Sequence, residues 1–120
     1  MPSIDRNLPT NVAVGLLIDS QNRVLVAQRP KGKPYAGKWE FSGGKVELGE
    51  TIFEALNREL NEELGLHVIS AESLFCSKQD CYSHSIYLHF WWVTEFEGVP
   101  YGLEGQSIKW VNSKQLGDLD

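Results

Sequence analysis

An acidic cluster occupies the segment from Lys45 to Leu66. Six acids stand there against two bases: Glu47, Glu50, Glu54, Glu59, Glu62 and Glu63 against Lys45 and Arg58. If the segment is helical, with about 100° between successive residues, Glu59, Glu62 and Glu63 fall within roughly one quadrant. Like charges at these spacings repel one another, at a cost of about 0.2–0.5 kcal/mol for each pair. A divalent cation over the quadrant would relieve that repulsion, because carboxylate oxygens are the hard ligands that Mg²⁺ and Mn²⁺ prefer.

Charge alone leaves a second interpretation open. An acidic run is usually a solvated helix face, and composition by itself favours that explanation. A structural helix would normally interleave lysines with such acids, and this segment has none after Lys45. In the metal-site interpretation, Arg58 neutralises a neighbouring carboxylate from the flank and orients it.

A helix over residues 51–64 should carry the cluster. Thr51 with Glu54 fits a capping box, in which each side chain accepts a hydrogen bond from a free backbone N–H at the helix start. Gly65 fits the left-handed residue that ends a helix. Apolar residues recur at helical spacing and predict one face packed on a core; they are Ile52, Phe53, Leu56, Leu60 and Leu64.

Alternating apolar and β-branched residues predict strands on both sides of this helix. Residues 11–18 and 24–27 should pair as a hairpin across the polar turn 19–22. A loop rich in Pro, Gly and Lys follows at 29–37. The further strand predictions are 39–41, cut off by the Ser-Gly-Gly of 42–44, then 74–77, the long aromatic run 85–96 as a central strand, and 108–111.

Composition bounds the class of protein. The chain has 120 residues, 42% of them hydrophobic, which predicts one domain over residues 1–120. A net charge of −5 argues against a sequence-independent grip on a nucleic acid polymer. We find neither a secretory signal nor an apolar run of membrane-spanning length, so we expect a soluble cytoplasmic protein. Cys76 and Cys81 are then expected to be free thiols.

The spacing of the acidic segment resembles the Nudix box. Every specified position of that motif is matched over the segment 44–66: Gly44, Glu50, Arg58, Glu59, Leu60, Glu62, Glu63, Gly65 and Leu66. A motif with this many specified positions is far more specific than a lone glycine pattern. The resemblance therefore favours the metal-site interpretation over a solvated acidic face.

Residues 11 to 111 resemble the MutT-like branch of the Nudix family. The similar stretches outside the box are 24–29, 38–41, 90–93 and 97–106. The resemblance implies an α+β fold, an α/β/α sandwich around a mixed β-sheet. It implies hydrolysis of a nucleoside triphosphate such as 8-oxo-dGTP to the monophosphate and pyrophosphate, with Mg²⁺, or Mn²⁺ as the alternative, as cofactor. The alternatives are CTP or a dinucleoside polyphosphate as substrate, or a catalytically silent ligand-sensing module.

The resemblance also implies roles for individual residues. The implied metal ligands are the Gly43 carbonyl, Glu50, Glu59, Glu62, Glu63 and Glu104. Arg58 orients the carboxylates, and Glu104, in the Gly-rich loop 102–106, is a metal ligand or the general base for the attacking water. Arg29, Phe41 and His84 are implied in substrate binding. The plain alternatives are an exposed loop carboxylate for Glu104 and a surface charge for Arg29.

The sequence departs from the family pattern in three places. Ser42 stands where proline usually precedes the two glycines, and His84 stands where an arginine contacts the base. The chain also ends at Asp120, before the base-reading asparagine segment and the closing helix of the MutT-like branch, so we expect a truncated chain or base selection by other means. Tyr35, Trp39 and Phe41 are candidates for stacking on a base. The expected partner is a small nucleotide, bound by a monomer or a dimer.

Overall fold

The computed structural model describes residues 9–29, 31–32, 36–80 and 84–117. Seven strands and two helices occur in these ranges: β1 (Thr10–Leu17), β2 (Val24–Gln28), β3 (Trp39–Glu40), β4 (Ser42–Lys45), α1 (Ile52–Leu64), β5 (His67–Asp80), β6 (Ser85–Glu97), β7 (Ile108–Val111) and α2 (Ser113–Gly117). The α+β class expected from the sequence is confirmed. Within these ranges, no helix is long and apolar enough to cross a membrane.

The strands form two sheets. The larger has the order β4-β1-β6-β5 and the smaller has the order β3-β2-β7. In the larger sheet β1 runs parallel to β6, with Thr10 opposite Ile86 and Leu17 opposite Val93, while the β4–β1 and β5–β6 pairs are antiparallel. The expected mixed sheet is therefore confirmed, and β6 has a neighbour on each side, as a central strand should.

The predicted hairpin of residues 11–18 with 24–27 is wrong. The turn itself is present, closed by the Asp19 N–H donating to the Arg23 carbonyl over 2.9 Å. Beyond it, a single isolated bridge joins Ile18 to Val24, and the two strands then enter different sheets. Alternation specifies a strand and its buried face but not its partner. Both edges of β1 are taken by β4 and β6.

Two other strand boundaries also differ from expectation. Residues 42–44 do not end a strand; they begin β4, and the chain changes sheets at Phe41. The predicted strand 74–77 is only the middle of β5, a long edge strand with mostly exposed side chains and register shifts against β6. Edge strands with bulges lack clean alternation, so their ends are difficult to see in a sequence.

Helix α1 packs its apolar face against β1, β4 and β5 of the larger sheet. The predicted capping box is confirmed, with the Glu54 N–H donating to Thr51 Oγ1 over 3.1 Å and the Thr51 N–H donating to Glu54 Oε1 over 2.9 Å. Gly65 ends the helix with a φ of 74°, as expected. Beneath α1 the core includes Ala13, Leu17, Leu56, Leu60, Leu64, Leu66, Val68 and Val93.

Several side chains outside the core bear on the sequence predictions. His89 Nε2 lies 2.9 Å from Asn11 Oδ1, so this half-buried ring has a hydrogen-bond partner. Cys76 is a free, exposed thiol, as expected, and Cys81 lies outside the described residues. The final described helix, α2, is five residues long and contacts β7. No longer closing helix follows β7 within residues 112–117.

Candidate active site

Two glycines of β4 bring the sheet directly beneath the carboxylates of α1. Gly43 has a φ of 152°, and a Cβ atom there would overlap the backbone carbonyl of Ala13. A Cβ atom on Gly44 would overlap the carboxylate of Glu59. Only residues without a side chain let the helix glutamates lie this close to the strand. Gly43 and Gly44 therefore serve the site by leaving space between the strand and the carboxylates of the helix.

Arg58 binds two of the glutamates at once. Its Nε donates to Glu50 Oε2 over 2.7 Å and its Nη2 to Glu50 Oε1 over 3.0 Å, which is the bidentate pairing of guanidinium with carboxylate. Its Nη1 donates to Glu59 Oε2 over 2.7 Å. The same Nη1 lies 3.7 Å from Glu62 Oε1. Arg58 thus holds the acids of α1 to the loop that precedes the helix.

This pairing sets the ionisation of the groups involved. The hydrogen bonds from Arg58 lower the pKa of Glu50 to about 2, and the hydrogen bond from the Glu47 N–H contributes less to the same shift. The hydrogen bonds to Glu50 and Glu59 raise the pKa of Arg58. Both partners are therefore charged over the whole physiological range.

Glu63 lies in the opposite environment. Burial, the hydrogen bond with Glu59 and the negative charges of Glu59 and Glu104 raise the pKa of Glu63 to about 9. The Gly43 N–H, 3.4 Å from Glu63 Oε1, opposes that rise. A carboxyl group held in its protonated form by neighbouring acids lies where added positive charge would be most favourable.

The loop between β6 and β7 carries Glu104 to the C-terminal end of α1. The Tyr101 N–H donates to the Leu64 carbonyl and the Leu103 N–H to the Glu63 carbonyl, each over 3.1 Å. The last carbonyls of a helix have no partner within the helix, so the loop satisfies them. Glu104 is exposed and faces Glu63 across a small cleft.

Two adjoining clefts meet at this point. The acidic cleft, of about 170 Å³, is lined by Ala27, Gln28, Arg29, Glu40, Gly43, Glu63, Glu104 and Gln106. The apolar groove, of about 370 Å³, is lined by Val12, Ala13, Val14, Arg29, Glu40, Phe41, Gly43, Gly44, Lys45, Leu88 and Phe90. Arg29, Glu40 and Gly43 line both. A ligand with a flat apolar part and a charged part could therefore occupy the two together.

The structure separates the three predicted substrate-binding residues. Arg29 and Phe41 line the apolar groove, and Arg29 Nη1 lies 3.1 Å from Glu40 Oε2. His84 immediately precedes β6 and lines neither cleft in the part of the chain that is described. Of the stacking candidates, Trp39 already has Lys109 Nζ above its ring, 4.3 Å from the centroid. Tyr35 lies outside the described residues.

The predicted metal ligands are brought together only in part. Glu63 interacts with Glu59 and with Glu104, whereas Glu50 is turned to Arg58 and Glu62 is more exposed. Among the described residues, no three acidic, His or Cys side chains form a ready metal cage. The donor chemistry nevertheless fits a hard divalent cation, because the carboxylates of Glu59 and Glu104 lie near the buried carboxyl group of Glu63.

Two residues of the site were not predicted from the sequence. Glu40 pairs with Arg29 where the two clefts meet, and Gln106 lines the acidic cleft together with Glu63 and Glu104. Both belong to stretches that resemble the MutT-like branch, 38–41 and 97–106. That resemblance was the available signal, but it gave no reason to single out either side chain.

Comparisons with known proteins agree with this architecture. The NUDIX domain model matches residues 8–120. The CTP pyrophosphohydrolase of Escherichia coli K12 is 37% identical over 102 residues, covering 85% of this chain and 76% of that protein. The 8-oxo-dGTP diphosphatase of the same strain is 38% identical over 104 residues, covering 84% and 78%. The solution structure of the E. coli ORF135 protein superposes with a TM-score of 0.84 at 31% identity, covering 98% of this chain and 84% of that one.

The chain therefore belongs to the Nudix family. Nudix hydrolases generally need a divalent metal ion. The carboxylates around Glu63 are the part of this chain whose chemistry fits that need.

Proposed function

We propose that this protein is a metal-dependent pyrophosphohydrolase that splits a nucleoside triphosphate into a nucleoside monophosphate and pyrophosphate. The observation that carries the proposal is the continuity of the two clefts through Arg29, Glu40 and Gly43. A base and sugar in the apolar groove would place the phosphates against Glu63 and Glu104. The apolar groove recognises the nucleoside and the acidic cleft performs the hydrolysis.

The roles proposed for the acidic residues come from their matches to the Nudix box and its neighbouring loop, and are supported by the position of Glu63 and Glu104 in the acidic cleft. Glu59, Glu62, Glu63 and Glu104, with Glu50 and the Gly43 carbonyl, form the oxygen donor set that would hold Mg²⁺, or Mn²⁺ in its place. When bound, the metal ion supplies positive charge that offsets the charge developing on the phosphate oxygens. Arg58 holds the carboxylates of Glu50 and Glu59 in place through its hydrogen bonds.

Glu104 is the proposed general base. It is carried on a loop outside the helix, and its carboxylate faces the cleft rather than Arg58. The oxygen of water attacks a phosphoanhydride phosphorus, the bridging P–O bond breaks, and the proton of the water passes to Glu104. The bridging oxygen keeps the electrons of the broken bond, and the two products are the nucleoside monophosphate and pyrophosphate.

The proposed substrate is a purine triphosphate of the 8-oxo-dGTP or dGTP type, with Phe41 contacting the base and Arg29 contacting the sugar or the phosphate nearest to it. A similarity of equal strength to a CTP pyrophosphohydrolase supports CTP as the second candidate. A dinucleoside polyphosphate remains a third possible substrate. A silent ligand-sensing module is disfavoured, since every specified position of the box is kept and Glu63 lines a cleft together with Glu104.

The test is pyrophosphate release from a nucleotide panel. Purified protein is incubated with 8-oxo-dGTP, dGTP, CTP and a dinucleoside tetraphosphate, in Mg²⁺, in Mn²⁺ and in EDTA. We expect metal-dependent release, with the highest kcat/KM for an oxidised or unmodified guanine nucleotide. The Glu63→Gln variant, purified in parallel, controls for contaminating phosphatases. Full activity in EDTA, or equal activity of the variant, would overturn the proposal.

We also propose the domain organisation, the compartment, the partner and the oligomeric state of the protein. We place residues 1–120 in one Nudix domain, tested by a single cooperative transition in calorimetry. We place the protein in a reducing cytoplasm, which the free thiol of Cys76 supports. The partner is a small nucleotide and not a nucleic acid polymer, tested by gel shift. A monomer or a dimer is expected in light scattering.

A further inference from the structure

A single amide side chain connects the two elements that carry the acids of the cleft. Gln106 Nε2 donates to the Glu63 carbonyl over 3.0 Å, and Gln106 Oε1 accepts from the Glu104 N–H over 2.9 Å. One end of this amide therefore lies on helix α1 and the other on the loop residue Glu104. The side chain is half-buried and lines the acidic cleft.

The amide group of Gln106 suits this position, and few other side chains would suit it. One group must donate to a carbonyl and accept from an N–H at the same time, and a primary amide does both. A glutamate would keep the acceptor, but its second oxygen would face the Glu63 carbonyl and add negative charge to an acidic cleft. An asparagine is one methylene shorter.

The other anchors of the loop do not replace Gln106. The Tyr101 and Leu103 N–H groups hold the first half of the loop to Leu64 and Glu63. Glu104 follows these anchors, and its own N–H goes to Gln106. The Gly105 N–H donates to the Gly102 carbonyl within the loop over 3.0 Å, and the Gln28 N–H donates to the Ser107 carbonyl beyond it over 2.9 Å. Neither of these hydrogen bonds reaches α1, whereas the bond to Gln106 links the Glu104 backbone, and with it the carboxylate, to the Glu63 carbonyl.

We infer that Gln106 is a positioning residue for the hydrolysis: it holds Glu104 against the carboxylates of α1 and acts on the reaction only through Glu104. This inference rests on the proposed function, in which Glu104 receives the proton of the attacking water. A displacement of about 1 Å in a reacting group can lower a rate by about 10²-fold.

The first experiment is a double-mutant cycle on kcat and KM. Gln106→Met keeps the length of the side chain and removes both hydrogen bonds; we expect kcat to fall by about 10- to 100-fold with KM changed by less than about 3-fold. In a Glu104→Gln background, Gln106→Met should have little further effect, because the group through which it acts is already gone. Losses that multiply in the double variant would contradict the inference, as would a loss seen mainly in KM.

The matched control is Gln115→Met. Gln115 Oε1 accepts from the Asn112 N–H over 2.9 Å, which is the same kind of bond, at the start of α2 and away from both clefts. We expect kcat and KM of this variant to equal those of the unmodified protein. A comparable loss of kcat would show that the effect of Gln106→Met is not specific to the cleft.

The second experiment does not depend on activity. Hydrogen exchange is measured by NMR at the Glu104 N–H of the metal-free protein, with the Gly65 N–H, bonded to the Asn61 carbonyl, as internal reference. In Gln106→Met we expect exchange at Glu104 to accelerate by at least about 5-fold while Gly65 is unchanged. Unchanged exchange at Glu104 would overturn the inference. If exchange at Glu104 accelerates in Gln106→Met but the unmodified protein hydrolyses no nucleotide, the role of Gln106 in holding Glu104 would stand. The proposed function would then be overturned.

Discussion

The two ends of the carboxylate cluster can be compared directly, since both are built on α1. At the arginine end, Arg58 is bound to Glu50 and Glu59, and the pKa of Glu50 falls to about 2. At the cleft end, Glu63 and Glu104 lie near each other beside Gly43, and the pKa of Glu63 rises to about 9. The arginine end already has its positive charge. The cleft end is where an added cation would lower the free energy most.

The largest expected effect is on the rate. Glu63→Gln, at the cleft end, should lower kcat by at least about 10²-fold with the fold intact, because charge stabilisation in the transition state is lost. Glu50→Gln, at the arginine end, should lower kcat by about 10-fold or less, since its partner Arg58 still holds Glu59. Steady-state kinetics on the two variants measure the difference.

Glu54→Gln is the control for this comparison. Glu54 shares the helix but belongs to its capping box, so its substitution should be mild in rate. Equal losses for Glu54→Gln and Glu63→Gln would mean that the acids act only by stabilising the helix, and the contrast between the two ends would then be irrelevant to catalysis.

The next effect is stabilisation by metal ion. A ligand that binds only the folded state raises the free energy of unfolding by about 2.7 kcal/mol at a hundred times its Kd. We expect millimolar Mg²⁺ to raise the Tm of the unmodified protein and of Glu50→Gln, and to leave that of Glu63→Gln nearly unchanged. Calorimetry in Mg²⁺ and in EDTA provides the measurement. If Mg²⁺ changes the Tm of none of the three proteins, the proposal that a cation binds at the cleft end is contradicted.

The two ends should also respond to pH in opposite directions. In EDTA, Glu63 has a pKa of about 9 when folded against an ordinary 4.5, so the folded state binds more protons and stability falls as pH rises from about 5 to 9. Glu50, with a pKa of about 2 when folded, contributes stability above about pH 4.5 that is lost as pH falls towards 2.

The measurement is Tm against pH in EDTA. Glu63→Gln should lose the decline above about pH 5, and Glu50→Gln should lose part of the decline at acid pH. If the curves of Glu63→Gln and the unmodified protein run parallel above pH 5, the raised pKa of Glu63 is wrong.

The smallest expected effect concerns Ser42, next to the cleft end. Its side chain is 4% exposed, and its Oγ has no hydrogen-bond partner among the described residues. A buried unsatisfied hydroxyl costs about 1–3 kcal/mol, so Ser42→Ala should leave Tm unchanged or raise it by a few degrees, with kcat unchanged. A fall in kcat would show that the hydroxyl contacts Glu63 or the metal ion during turnover.

Local signals in the sequence predicted α1 and its boundaries. Thr51, Glu54 and Gly65 specify a helix start and end through hydrogen bonds within a few residues, and the structure confirms each. The spacing of Arg58 and the glutamates likewise needed only helical geometry. These features depend on short-range chemistry, which one sequence displays.

Features that depend on distant partners were not predictable in this way. Gly43 and Gly44 were expected to end a strand, yet they lie within one, because β1 and the Glu59 carboxylate require a backbone without side chains there. The predicted partner of β1 was wrong, because the alternation of apolar and polar residues does not specify which strands pair. Gln106 went unnoticed because its role needs two hydrogen bonds to residues that the fold alone brings together.

The parallel pairing of β1 with β6 has a consequence for how the protein folds. Thr10 lies opposite Ile86, so the middle of the larger sheet joins two segments that are far apart in the sequence. Helix α1 can form early from local contacts, but the surface that it covers is complete only when β6 arrives. Non-local pairing of this kind slows folding and leaves apolar surface exposed meanwhile. A nascent chain that ends before β6 would have its acidic helix but no finished sheet on which to place it.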